Sequence, residues 1–163
     1  MPTTDMSSTR ARTPDQVDVR GPRFAAWLTA TALAAALLLW PVSPAVSAVV
    51  LCAQATVFAI GAWRGPRSHP YGQIFARLVA PRLGPVGEKE PVAPLRFAQL
   101  VGLAFAVAGV VGFASGLPLL GLIATAFALV AAFLNAAFGI CLGCRIYPLV
   151  ARVRRKTSAP SPA

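Results

Sequence analysis

Charge is what this sequence lacks most: 12% of its residues are Asp, Glu, Lys or Arg, where a soluble domain carries about a quarter. Four long stretches, 24–40, 45–63, 97–117 and 119–142, hold no charged residue at all. That excludes the intramembrane carboxylates and amines with which coupled transporters relay protons and bind ions. Acidic residues number five and histidine one. Three cysteines in so apolar a chain cannot be the disulfide framework of a small secreted domain. There is no phosphate-binding glycine loop, no metalloprotease motif and no nucleophile elbow.

What is there instead is apolar length. The last run, Leu119 to Leu142, covers roughly 36 Å as a helix, against a bilayer core of about 30 Å. The expected fold class is an all-α membrane protein: four transmembrane helices arranged as two hairpins, with short amphipathic interfacial helices. A cytoplasmic loop, 64–96, joins the hairpins, the membrane domain covers 17–155, and 1–16 and 156–163 are expected to be disordered tails. Val46-Ser47-Ala48 imitates a signal-peptide cleavage site, but cleavage would leave 49–63, too short to span comfortably. Leu51 before Cys52 argues against a lipoprotein signal, so the first helix is kept. Pro41 and Pro44 break the first hairpin, and Pro118 suits the first turn of the last span.

The net charge of +10 would fit a nucleic-acid binder if the basic residues lined one folded face. They flank the apolar runs instead, so anionic lipid headgroups are the better partner and no nucleic acid is expected. The fifteen Lys and Arg fall in the N-terminal segment, the long loop and the C-terminal segment, and neither hairpin tip has one. The positive-inside rule then puts both termini and the long loop on the cytoplasmic side of the membrane, as a multi-pass protein. Trp27, Trp40 and Trp63 lie near the predicted interfaces. Two segments look amphipathic: Tyr71, Ile74, Phe75 and Leu78 share one helical side, and so do Ile146, Leu149, Val150 and Val153. Arg-Phe-Ala recurs at 23–25 and 96–98, at the head of each hairpin, as in a parallel 2+2 repeat.

Cys141 and Cys144 carry the strongest chemical signal. Their spacing puts them within reach of one another on adjacent turns or across a tight turn at Gly143. Read as the cytoplasmic end of the last span, a helix C-terminus disfavours thiolate there while Arg145 favours it. The pair is the candidate catalytic site, for thiol–disulfide exchange or for carriage of sulfur as a persulfide. A metal centre fits poorly, since two thiolates and His69 fall one ligand short of a closed zinc site, and no metal or cofactor is expected. Cys52 reads as a small packing residue. Gln54, Gln99 and Asn135 are the polar residues of the bundle, expected to hydrogen-bond across it or to line a small polar pocket. On a continuous helix Asn135 faces away from the cysteines, which disfavours one pocket holding all of them. Small residues make two stripes, Ala104-Ala108-Gly112-Gly116 and Gly121-Thr125-Ala128-Ala132-Asn135-Gly139, for close packing within one chain or in a homo-oligomer. His69, beside Pro70, reads as a solvated loop histidine.

The runs 17–24 and 81–85, Arg96-Phe97-Ala98-Gln99 and, most specifically, the 134–144 run ending in Cys141-Leu142-Gly143-Cys144 resemble the domain-of-unknown-function family 4395 (DUF4395). The likeness covers roughly 17–152. It implies an uncharacterised bacterial membrane protein, with a thioredoxin-like or rhodanese-type cytosolic protein as partner. Different classes of function stay open at this point. One is exchange of electrons or sulfur with a cytosolic thiol protein through Cys141 and Cys144. Another is a non-enzymatic scaffold or assembly partner with inert cysteines, and a third is a small sulfur-solute permease, for which the spans offer no polar path.

Overall fold

A computed structural model of the chain describes residues 15–157, with side chains to 153. The expected tails lie almost wholly outside the described residues, but Gln16 belongs to a strand and Lys156 to a helix.

Four helices are long and apolar enough to cross a membrane: α1 (Arg20–Leu39), α2 (Pro44–Arg64), α4 (Val92–Ala114) and α5 (Pro118–Phe138). Each boundary has a local cause. The Ser43 side chain accepts from the Val46 amide at 3.3 Å and Pro44 fills the first turn, which together start α2. Pro118 opens α5 in the same manner. Gly65 and Gly139 stop α2 and α5 at positive φ, +84° and +68°, Gly139 in the left-handed helical conformation. In α1 and α5 these helices lie side by side, as do α2 and α4, and each hairpin also packs on itself, so the four close into a ring. Leu33, Ala36, Leu51, Phe113 and Ala128 fill its centre. The chain is an all-α membrane protein of four spans in two hairpins.

The stripes of small residues are used within the chain, in a shifted register. At Gly112 a side chain would run into the backbone of Gly121, and at Gly109 into Thr125, so α4 and α5 approach through these glycines. Ala104, placed in the same stripe by spacing, is exposed.

Three further elements sit at the end of the ring where α1 and α4 begin. A short helix α3 (Pro70–Ile74) widens into a π-helical turn at Phe75–Val79. A helix α6 (Leu142–Thr157) packs mainly along α4. A two-stranded antiparallel ribbon pairs β1 (Gln16–Asp18) with β2 (Lys89–Pro91), setting Val17 opposite Glu90. The ribbon was not expected, its strands falling at the junction of the N-terminal tail with the membrane domain and in the loop, because three-residue strands are too short to leave an alternating pattern. Arg20 secures it, pairing with Asp18 at 2.8 Å and donating to the Gly84 carbonyl at 3.2 Å.

One expectation about the spans needs correction. The last one does not run to Leu142. It ends at Phe138, where Gly139 turns left-handed and the Ile140 amide reaches back to the Leu134 carbonyl at 3.2 Å. Apolar composition continues past the helix because Ile140, Cys141 and Leu142 belong to the turn and to the start of α6.

Candidate functional site

Two cavities open at this end of the ring, and each is built around the start of a helix that follows a span. The first holds the cysteines. Cys141 stands immediately before α6: its carbonyl takes the helix's first hydrogen bond, from the Arg145 amide at 3.1 Å. Its Sγ accepts the Cys144 amide at 3.3 Å. The two cysteines are joined as a disulfide, with Cα atoms 5.2 Å apart. They therefore occupy a helix N-terminus, not the C-terminal end of a span. This reverses the electrostatic expectation, because free amides and the positive end of the helix dipole favour a thiolate on Cys141.

The cysteine cleft measures about 260 Å³ and is mostly apolar, with Thr29, Gln99, Asn135 and Cys141 supplying its polar edge. Asn135 and Cys141 share this space because the chain turns at Gly139, so the continuous-helix geometry that separated them does not apply. Gly143 makes the cleft possible. A side-chain carbon there would stand 2.7 Å from Ala98 Cα, so only glycine lets α6 lie this close to α4.

The second cavity, about 370 Å³, lies between α1, α3 and the loop after α2. His69 precedes α3 as Cys141 precedes α6. Its side chain is 3% exposed, which corrects the reading of a solvated loop residue. Two glycines seat it: a side-chain carbon at Gly61 would meet the imidazole Cδ2 at 2.6 Å, and one at Gly72 would meet the Pro66 carbonyl at 2.6 Å. Burial lowers the His69 pKa to about 4, a shift that its Gln99 neighbour opposes, so the ring is neutral at pH 7. Gln99 lies against the same spot on Gly61, yet no hydrogen bond of normal geometry joins it to the ring. Both imidazole nitrogens and Gln99 Oε1 are buried with no partner.

Gln99, Leu95, Ala25 and Pro22 line both cavities and form the wall between them. Gln54 lies outside both. It is 2% exposed, donates to Thr29 Oγ1 at 3.4 Å and accepts from the Tyr71 hydroxyl at 3.0 Å, tying α1, α2 and α3 together. Cys52 is exposed on the outer face of α2 and packs no core. Among the described residues no three His, Cys, Asp or Glu side chains group as a metal site, and His69 and Cys141 line different cavities.

The sequence model of a family described as a domain of unknown function (DUF4395) matches residues 17–152, a range that takes in both cavities. The chain belongs to this DUF4395 family. No curated protein and no solved structure matches it. In this DUF4395 chain the repeat is visible as shared capping. Arg23, heading α1, donates to the Ala137 carbonyl at the end of α5, at 3.5 Å. Arg96, heading α4, donates to the Ala62 and Trp63 carbonyls at the end of α2, at 2.8 and 2.6 Å. After those ends come Gly65 and Gly139, then α3 packed on α1 and α6 packed on α4. His69 is thus the first-half counterpart of Cys141. Sequence reasoning missed it because no residue type is shared. The signals that could have found it are Gly61, in a span with no other glycine, and Gly72 just beyond His69.

Proposed function

We propose that this DUF4395 protein is a multi-pass protein of the bacterial inner membrane that exchanges electrons or sulfur with a cytosolic thiol protein, thioredoxin-like or rhodanese-type, through Cys141 and Cys144. The observation that carries the reading is the Cys144 amide directed at Cys141 Sγ at the start of α6. A sulfur there is the one stabilised as thiolate, so Cys141 is the attacking group and Cys144 the resolving one.

In the reduced protein the Cys141 thiolate attacks a disulfide of the partner. The partner's S–S bond breaks, one partner sulfur leaves as a thiolate that takes up a proton, and a mixed disulfide remains. Cys144 then loses its proton and attacks Cys141 Sγ, which releases the second partner thiol. The pair has given up two electrons and the partner has gained them; the reverse sequence with a dithiol partner restores it. With a persulfide partner, Cys141 takes the outer sulfur and the partner leaves as a thiolate.

The anionic surface of the inner leaflet supports the cytosolic side of this reading, through the arginines around the site and the amphipathic α6. Ile146, Leu149 and Val153 are exposed along that helix, as for a segment lying in the headgroup layer. The test is trapping in cells. Cys144→Ser should accumulate a reducible mixed disulfide with a thioredoxin-like protein, while Cys141→Ser should not. A Cys141→Ser/Cys144→Ser protein that fully complements a deletion would overturn the reading in favour of a scaffold.

A further inference from the structure

The cysteine cleft reaches well beyond the cysteines. Its deep end is set by Phe105 on α4 and Phe127 on α5, whose rings lie 6.2 Å apart. At about 1.5 Å per residue, Phe127 stands roughly 16 Å along α5 from the helix end at Phe138, half of a hydrocarbon core of about 30 Å. Both rings are exposed, so this end of the cleft opens toward lipid and not into the packed centre. The shallow end carries Cys141. Between the two, Asn135 is partly buried on the cleft wall, and its amide has no hydrogen-bond partner among the described residues. A sulfur that can hold a thiolate, a free amide and an apolar path from the bilayer thus share one space.

We propose that this cleft takes the ring of a lipid-soluble quinone, which enters from the bilayer and oxidises the reduced Cys141–Cys144 pair. The proposal rests on the redox reading of that pair and names the second reactant. A dithiol gives up two electrons and two protons in closing to a disulfide, and a quinone takes the same number of each. An oxidant arriving through hydrocarbon must be uncharged, because a charged one would lose its hydration against apolar walls. An acyl chain fits those walls but uses neither the amide nor the sulfur. In the reaction the Cys141 thiolate adds to a ring carbon of the quinone, and an electron pair moves onto a carbonyl oxygen. Asn135 donates an N–H to that oxyanion. Cys144 then loses its proton and attacks Cys141 Sγ. The S–S bond forms, the C–S bond breaks with its electron pair left on the quinone, and two protons complete the hydroquinone. A thiol partner that reduces the disulfide again sends its electrons into the membrane.

The probe is decylubiquinone, whose fully substituted ring cannot keep a thiol adduct. The full-length protein, reduced and freed of reductant in lipid nanodiscs, is mixed with it, and loss of quinone absorbance is followed beside mass spectrometry of the cysteines. Quinone loss should match disulfide formation, at a rate that saturates with quinone. Asn135→Leu should raise the half-saturating concentration by about tenfold, the scale of one lost hydrogen bond. Ala131→Phe, which fills the cleft without removing a polar group, should raise it as well; circular dichroism confirms that both variants keep their helices. No oxidation of the wild type, a rate that rises linearly without saturation, or the wild-type half-saturation in both variants would overturn the proposal. The mixed disulfide trapped by Cys144→Ser reports the cytosolic partner separately. Trapping without quinone reduction refutes the quinone site alone, and quinone reduction without trapping refutes the thiol partner alone.

Discussion

Burial makes the charged form of His69 costly, and this has a direct thermodynamic consequence. Its pKa falls from 6.5 to about 4 on folding, so between those values the unfolded chain binds more protons than the folded one. Stability from this group is therefore undisturbed above pH 6.5 and is lost as pH falls toward 4, at about 1 kcal/mol per pH unit. Carboxylates titrate in the same range, so the measurement is a comparison. Thermal unfolding of the wild type should lose stability from pH 6.5 to 4.5 more steeply than that of His69→Phe. Parallel pH curves would refute the burial. The burial was not legible from the sequence around His69 alone, because Gly72 seats it from nearby but Gly61 on α2 and Gln99 on α4 complete the enclosure. Cys141 and Cys144, in contrast, were legible as a pair by spacing alone. Which of them stands at the start of a helix was not, since that depends on the turn at Gly139.

Elements divide along the same line. The four spans could be read from uncharged runs, because the bilayer requires about 20 apolar residues per crossing and tolerates few charges. The end of α5 could not be read from hydropathy, because the turn after it is as apolar as the helix. The contact of α6 with α4 has a single-residue test. A valine at position 143 would press on Ala98, a misfit of the kind that costs about 1–3 kcal/mol. Gly143→Val should raise amide hydrogen exchange along the first turns of α6 and part Tyr147 from Phe97, whose rings lie 5.9 Å apart. The spans should keep their protection. Unchanged exchange in α6 would mean that the helix does not depend on this approach. The amphipathic reading of 71–78 is divided by the structure. Phe75 turns inward against Phe24 at 5.8 Å, while Ile74 and Leu78 stay exposed, so the segment braces the bundle on one side and faces outward on the other.

At the scale of the whole molecule, the described lysines and arginines gather at one end, because α1 and α4 begin there and α2 and α5 finish there. Residues 40–43 and 115–117, at the hairpin tips, carry none. The orientation proposed above puts this charged end in the cytoplasm, as the positive-inside rule expects. A phosphatase that is active only after export should be active when fused after Gly116 and inactive when fused after Thr157. The opposite pattern would overturn the orientation and with it the cytosolic partner. Residues acting through their immediate surroundings were enough to determine the number of spans, the hairpin pairing and the charged end, since run length, proline breaks and arginine positions are local properties. The shared use of space was decided only by the tertiary structure. Gln99, His69 and Cys141 come from three distant parts of the chain, and they line adjoining cavities because glycines at 61 and 143 let backbone and side chain approach where any larger residue would hold them apart.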